Sequence, residues 1–218
     1  MNDVNKCLIC QNKTTEIKHI CDGCFDLILH PKFDCSKCAV ELQSNHEICG
    51  HCQICMPDFD RVLYAGIYQS PLDSWVKAFK FSNKIILSQL FAALLKRQLT
   101  ARFADYDLVP VPLHISRLRQ RGYNQAYELS KEIAKITGIK LNPCLKRTKN
   151  TQMQAQLKLK ERAANIAKAF EAVETPAKNI LLIDDVMTSG NTLNECAKTL
   201  KKAGAETVCV LVIARKSL

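Results

Sequence analysis

No stretch of this chain stays apolar for long. The longest uncharged, largely apolar run, IILSQLFAALL at residues 85–95, has 11 residues, against the roughly 20 that a helix needs to cross a bilayer. The opening MNDVNK is polar and has no apolar export-signal core. Nowhere does G-x-x-x-x-G-K-S/T occur, which removes the P-loop class of nucleotide binders. Acidic residues are scarce in one part only: residues 60–218 hold 26 basic and 13 acidic side chains, net +13, whereas residues 1–59 hold 5 basic and 8 acidic, net −3. These features lead us to expect a cytoplasmic protein with no direct membrane insertion. The basic part should meet an anion: a phosphate ligand, a nucleic acid or both.

Cysteine is abundant, and its placement is informative. Nine of the 12 cysteines lie within residues 7–55. Eight of them form four Cys-x-x-Cys pairs, Cys7/Cys10, Cys21/Cys24, Cys35/Cys38 and Cys49/Cys52, whose first members recur every 14 residues. Disulfide scaffolds belong to exported chains, so metal binding is the better account. Each pair grips one face of a tetrahedral ion and two pairs complete a site, giving two structural zinc ions per chain. Sequential and interleaved pairing both fit the spacing. Cys55 overlaps the last pair, and His46 or His51 offers a substitute ligand. The segment has few aliphatic residues, so its folding should require the metal. Cys196 and Cys209 read as small buried hydrophobes.

The charge step and the end of the cysteine ladder coincide at MPDF (56–59), which divides the chain into a ribbon domain, 1–57, and a second domain, 58–218. The second alternates strand and helix patterns. RVLYAGIY (61–68), YDLVPVPL (106–113), NILLID (179–184) and TVCVLVIA (207–214) read as strands. PLDSWVKAFKF reads as a short helix. Leu87, Leu90, Phe91, Leu94 and Leu95, then Ala126, Leu129, Ile133 and Ile136, then Leu193, Ala197 and Leu200 fall at helical spacing; Gly138 and Gly204 stop the last two. The expected fold is α/β, a mostly parallel sheet flanked by helices, with ligands beyond the C-terminal strand ends.

One such end carries LLIDDVMTSGNT (181–192). Asp184 and Asp185 sit at the end of a buried strand, where like charges repel and lose hydration. Gly190 allows a tight turn, Thr188, Ser189 and Thr192 add hydroxyls, and the free N–H groups of the following helix make a phosphate cradle. Carboxylates beside such a cradle suit a ligand with hydroxyls as well as phosphate, such as ribose 5-phosphate. A Walker B strand also ends in acids, but its P-loop partner is missing. A two-component receiver places its acidic pair near its start.

ILLIDDVMTSGNT (180–192) resembles the 13-residue phosphoribosyl pyrophosphate (PRPP) motif of type I phosphoribosyltransferases. The four cysteine pairs, LVPVPLHISRLRQRGYNQAYELS (108–130), RTKNTQMQAQLKLKERAANIAKAF (147–170) and the PRPP motif together resemble the ComF/ComFC (GntX-like) competence-protein family over nearly the whole chain. Arg121, Gly122, Tyr123, Asn124 and Gln125 are the most specific piece. The resemblance implies a phosphoribosyltransferase-like sheet with an N-terminal double zinc ribbon. It also implies a role in natural transformation, handling imported single-stranded DNA with other uptake proteins, and PRPP binding with Mg2+. Asp184 and Asp185 would then be catalytic, favouring an electron-poor ribose ring, and would bind PRPP with Thr188, Ser189, Gly190, Asn191 and Thr192. A non-catalytic, DNA-binding module using PRPP as a regulatory ligand is the alternative.

Arg117, Arg119 and Arg121 follow the VPVP strand, where that fold holds pyrophosphate. Their alternate spacing does not share one helical face, so an extended, anion-binding loop is expected. Residues 117–162 carry 12 basic and 3 acidic side chains. The glutamine-rich part, Lys146 to Arg162, suits a flap or a DNA surface, with Lys146, Arg147 and Lys149 as DNA contacts. Lys80 is placed to reach a phosphate. Trp75, Tyr123 and Tyr127 are candidates for stacking on bases.

Overall fold

The computed structural model describes residues 6–14, 19–81, 84–149 and 168–216. Its strands are β1 (Arg61–Ile67), β2 (Asp107–Pro110), β3 (Lys140–Leu141), β4 (Leu145–Arg147), β5 (Phe170–Ala172), β6 (Asn179–Met187) and β7 (Thr207–Arg215). Five of them form one sheet in the order β1-β7-β6-β2-β3, every pair parallel. β4 and β5 make a separate antiparallel ladder. The helices are α1 (Asp22–Phe25), α2 (Gly50–Ile54), α3 (Leu72–Phe81), α4 (Leu87–Lys96), α5 (Ile115–Arg121), α6 (Gln125–Thr137) and, after β6, α7 (Asn191–Lys202).

The strands are apolar almost throughout because both faces of a parallel sheet are covered. Side chains alternate between those faces. Leu63, Ala65, Leu108, Leu181, Ile183, Leu211 and Ile213 pack with α3, α4 and α6. Val62, Tyr64, Val109, Ile180, Leu182, Val210 and Val212 pack with Leu193, Ala197 and Leu200 of α7. On the first face Phe79 and Phe91 are fully buried, with ring centroids 5.5 Å apart; each burial contributes about 1.5–3 kcal/mol. The expected helical stripes are found. All five α4 positions are buried, as are Ala126, Leu129 and Ile133 of α6, while Ile136 stays 38% exposed. α6 starts where Asn124 accepts hydrogen bonds from the Ala126 and Tyr127 amides and ends at Gly138, φ +76°. Cys144, Cys196 and Cys209 are buried.

The cysteine segment wraps the β1 edge. Cys7, Ile20, Cys24 and Ile28 join the core on the α3–α4 face. Cys35, Cys38, Ala39, Val40, Cys49 and Cys52 join the core on the α7 face. Between them the Ile67 amide donates to the Leu29 carbonyl at 2.9 Å, and Tyr64 donates to Asp34 at 2.6 Å. Gly66 leaves room for this contact: a Cβ there would collide with Cγ2 of Ile28.

Three expectations are corrected. The strand expected to end at the aspartates continues to Met187, because β7 keeps pairing with it from Asp184↔Val212 through Met187↔Arg215. Arg117–Arg121 is helix α5 and not an extended loop. His114 caps it by accepting from the Ser116 amide, and Gly122, φ +79°, ends it. Trp75 and Tyr123 are core residues; the Tyr123 hydroxyl donates to the Phe79 carbonyl. Of the aromatics expected to stack on bases, only Tyr127 is exposed, at 38%.

Candidate functional site

The chain leaves β2 toward β3 on one side and leaves β6 toward β7 on the other. The C-terminal ends of β2 and β6 therefore flank the point where the winding reverses, and open α/β sheets bind ligands at such a point. β2 stops pairing at Pro110↔Ile183. The next two residues of β6 are Asp184, which aligns with Val212 of β7, and Asp185; the β2 register reaches neither.

The acids have different surroundings. Asp185 is 7% exposed and its Oδ1 lies 2.7 Å from Nζ of Lys80, near the end of α3. Asp184 accepts from the Asp185 amide at 2.8 Å. Burial, then the Asp185 charge, push the Asp184 carboxyl up to about 7; Lys80 and Arg147 oppose this. Asp184 is itself partly exposed, yet an ionised carboxyl whose cationic neighbours do not offset these effects lowers stability, a recurrent property of sites built for a ligand.

Thr188–Gly190 leads from β6 into α7. Gly190 has φ +79°, a left-handed conformation that selects glycine; a Cβ there would meet only the movable Cε of Met187. Thr188 is exposed; Ser189, Asn191 and Thr192 are partly exposed. The first-turn amides of α7 lack intrahelical acceptors, so amides and hydroxyls offer donors beside the acids.

The basic residues divide. Arg117 and Arg121 share one face of α5 and are partly buried, while Arg119 is exposed. Burial, then the Arg121 charge, hold Arg117 below the ordinary guanidinium range. Arg121 donates to Oε1 of Gln125 at 3.1 Å and lies 5.4 Å from the Phe81 ring centroid. Burial, then Arg117, lower Arg147, against Cys196 and Asp184. Arg147 thus belongs to the same electrostatic neighbourhood as Arg117, Arg121 and the acid pair. Lys146 and Lys149 are exposed. The rest of the expected flap, 150–162, lies outside the described residues.

Sequence reasoning attached Lys80 to a phosphate; the structure attaches it to Asp185. It missed that Arg147 lies within reach of the Asp184 charge, and that Phe81, 72% exposed, is the aromatic beside the basic face. A residue at the end of an amphipathic helix gives no signal of what lies across the sheet.

Two further groups stand on the ribbons. Sγ atoms of Cys7, Cys10, Cys21 and Cys24 all lie within 4.8 Å of one another, as do those of Cys35, Cys38, Cys49 and Cys52. The pairing is sequential, and Cys55, His46 and His51 stand outside both groups. Amides aim at sulfur: Ile9 to Cys7 at 3.4 Å and Cys49 to Cys35 at 3.3 Å. Burial raises both thiols, but surrounding backbone amides outweigh it and bring Cys7 and Cys35 to about 7. Four sulfurs, one of them predisposed to ionise, fit a tetrahedral thiophilic metal ion at each group.

Residues 118–217 match the phosphoribosyl transferase domain family. Competence protein F of Haemophilus influenzae is 35% identical over 229 residues, covering 99% of each chain. The chain belongs to the competence protein F family. Competence protein ComFC of Streptococcus pneumoniae is 26% identical, covering 95% of this chain and 91% of its own. DNA utilization protein YhgH of Escherichia coli is 28% identical, covering 90% of each. In this member of the family the phosphoribosyl transferase match begins within α5, after Arg117, and takes in the β4–β5 ladder and the β6–α7 loop; the cysteine groups precede it. Among the described residues no helix is long and apolar enough to cross a membrane.

Proposed function

We propose that this chain serves DNA uptake as a PRPP-binding protein, with zinc in both cysteine groups. The observation that carries the reading is the meeting, at the sheet's reversal point, of two acids, a turn rich in amides and hydroxyls, and three arginines. Asp184 and Asp185 accept from the ribose hydroxyls, the 188–192 loop holds the 5-phosphate, and Arg117, Arg121 and Arg147 face the pyrophosphate. Mg2+ arriving with PRPP would add to the positive charge of these arginines and stabilise the leaving pyrophosphate. In phosphoribosyl transfer the ribose C1–O bond to pyrophosphate breaks as a bond from C1 to a nitrogen nucleophile forms, and the nucleophile loses a proton. The ring becomes electron-poor, and nearby carboxylates favour it. Pyrophosphate release from PRPP that requires an added nucleophile supports transfer; tight binding without release makes PRPP a regulatory ligand.

Binding itself is tested with Asp185→Asn. The substitution keeps the side chain's size, removes the charge that Lys80 meets at 2.7 Å and weakens one acceptor. Loss of a charge-assisted hydrogen bond costs about 1.5–3 kcal/mol, so titration calorimetry with Mg2+ should show PRPP affinity reduced by roughly ten- to a hundredfold. A wild type with no millimolar affinity would sink the reading.

Single-stranded DNA is proposed as the macromolecular partner, on the exposed Lys146 and Lys149 and the net +13 of residues 60–218. Affinity should fall with salt, the log–log slope changing by about 0.7 for each DNA phosphate that the protein ceases to neutralise. Lys146→Glu with Lys149→Glu should flatten the slope in fluorescence anisotropy and spare PRPP binding. Arg147→Glu should impair PRPP binding, since Arg147 stands in the field of Asp184. A slope indifferent to the lysine pair would remove this segment as the DNA surface.

A further inference from the structure

Arg215 ends β7 and is 3% exposed. Among the described residues its hydrogen-bond partners are all backbone carbonyls. Nε donates to Cys38 at 2.7 Å. Nη1 faces Met187 at 3.2 Å, Thr188 at 2.6 Å and Lys216 at 2.6 Å. Cys38 belongs to the second sulfur group. Met187 is the last residue of β6, and Thr188 opens the loop into α7. One planar side chain therefore ties a metal-binding knuckle to the candidate phosphate loop.

The sheet does not need this charge. β7 already pairs with β6 at Met187↔Arg215 and with β1 at Ile67↔Arg215, and an apolar residue would satisfy a buried strand end. A buried guanidinium persists where its donors are used. Their use here has a geometric effect. A trans peptide points its C=O and N–H in opposite directions. The Met187 carbonyl is already held by the Lys216 amide at 2.9 Å, so it is the Thr188 carbonyl, at 2.6 Å, that Arg215 orients, and the Ser189 amide is thereby turned away from it. That orientation is what an anion-binding loop requires.

We propose that Arg215 is a positioning residue that sets the amide orientation of the 188–192 loop and makes that loop depend on the second cysteine group. The dependence on PRPP rests on the function proposed above; the tie to the second metal does not. A lysine ammonium is a point charge that cannot span both sides as a planar fork does, so Arg215→Lys is the test, in the full metal-loaded chain. Zinc release to a chromophoric chelator is followed without PRPP. One of the two ions should leave at least tenfold faster than in wild type, the other at the wild-type rate. With Mg2+, PRPP affinity should fall at least tenfold. As a second route, Cys49→Ser, in the second group, should weaken PRPP binding at least tenfold more than Cys10→Ser, in the first. Unchanged release kinetics in Arg215→Lys, or equal effects of the two cysteine variants, would overturn the proposal. A wild type that does not bind PRPP removes the proposed function, and the release kinetics alone then decide whether Arg215 anchors the second knuckle. If Arg215→Lys does not fold, the cysteine comparison decides.

Discussion

Chelating the metal proposed for the two cysteine groups is expected to unfold the ribbons around them and loosen the sheet edge beneath. Few aliphatic side chains of the ribbons are buried, Ile20 and Ile28 with the first group and Ala39 and Val40 with the second; Leu8, Ile9, Phe25, Leu42 and Ile48 are covered only in part. Burying such side chains contributes about 1.5–3 kcal/mol each at most. Ordering a backbone costs about 1–2 kcal/mol per residue. A structural zinc contributes roughly 10–16 kcal/mol at neutral pH, so zinc in each group would be the largest stabilising contribution in its ribbon. Two equivalents are expected in reduced protein by elemental analysis. Chelation should abolish hydrogen-exchange protection across the ribbons and expose β1. Fewer than one equivalent in intact reduced protein, with the ribbons still protected, would rule the metal sites out.

Asp184→Asn stabilises the unliganded protein at pH 8 and matters much less at pH 5. The sign follows from the raised folded-state pKa, about 7. The unfolded chain releases this proton near pH 4, and the folded chain holds it until about 7. Between those values the unfolded state binds fewer protons, so this group's contribution to stability falls as pH rises and levels off above 7. Asparagine removes that slope while keeping an oxygen to accept the Asp185 amide. At about 1.4 kcal/mol per pH unit, the variant's advantage should grow by roughly 3 kcal/mol from pH 5 to pH 8. Urea unfolding of both proteins with zinc bound measures the difference, and the ribbons' own pH dependence cancels. A pH-independent difference would mean that Asp184 ionises normally in the fold. The same variant should bind PRPP more weakly, so stability and binding should move in opposite directions.

The parts legible in the sequence were those with a period. The 14-residue recurrence revealed four knuckles but left their pairing open, because spacing says nothing about which turns fold together; the core on each sheet face settles it. Helical stripes revealed α4, α6 and α7. Helix α5 escaped because it buries no residue, so it has no stripe, and its identity rests on the caps at His114 and Gly122. The acid pair was readable from its position after an apolar run. Its strand conformation was not, because the strand continues only through pairing with β7, which is distant in sequence. The Lys80–Asp185 and Arg147–Asp184 relations are products of topology, joining elements on either side of the reversal point. Arg215 reads locally as an ordinary basic residue closing a strand; only its burial against Cys38, Met187 and Thr188 reveals a role.

The strand beneath the ribbons has a consequence for biosynthesis. β1 has one neighbour in the sheet, and that neighbour is β7: Arg61 aligns with Cys209 and Ile67 with Arg215. As the chain emerges from the ribosome, β1 must wait for nearly the whole second domain before its partner exists. An apolar strand left waiting is a template for wrong pairing. The knuckles on either side of it are translated first and need only metal to form, and Leu29 already occupies the Ile67 amide. Early metal capture would thus act as an intramolecular chaperone, and zinc starvation during synthesis should send newly made chains to aggregates while leaving finished molecules in solution.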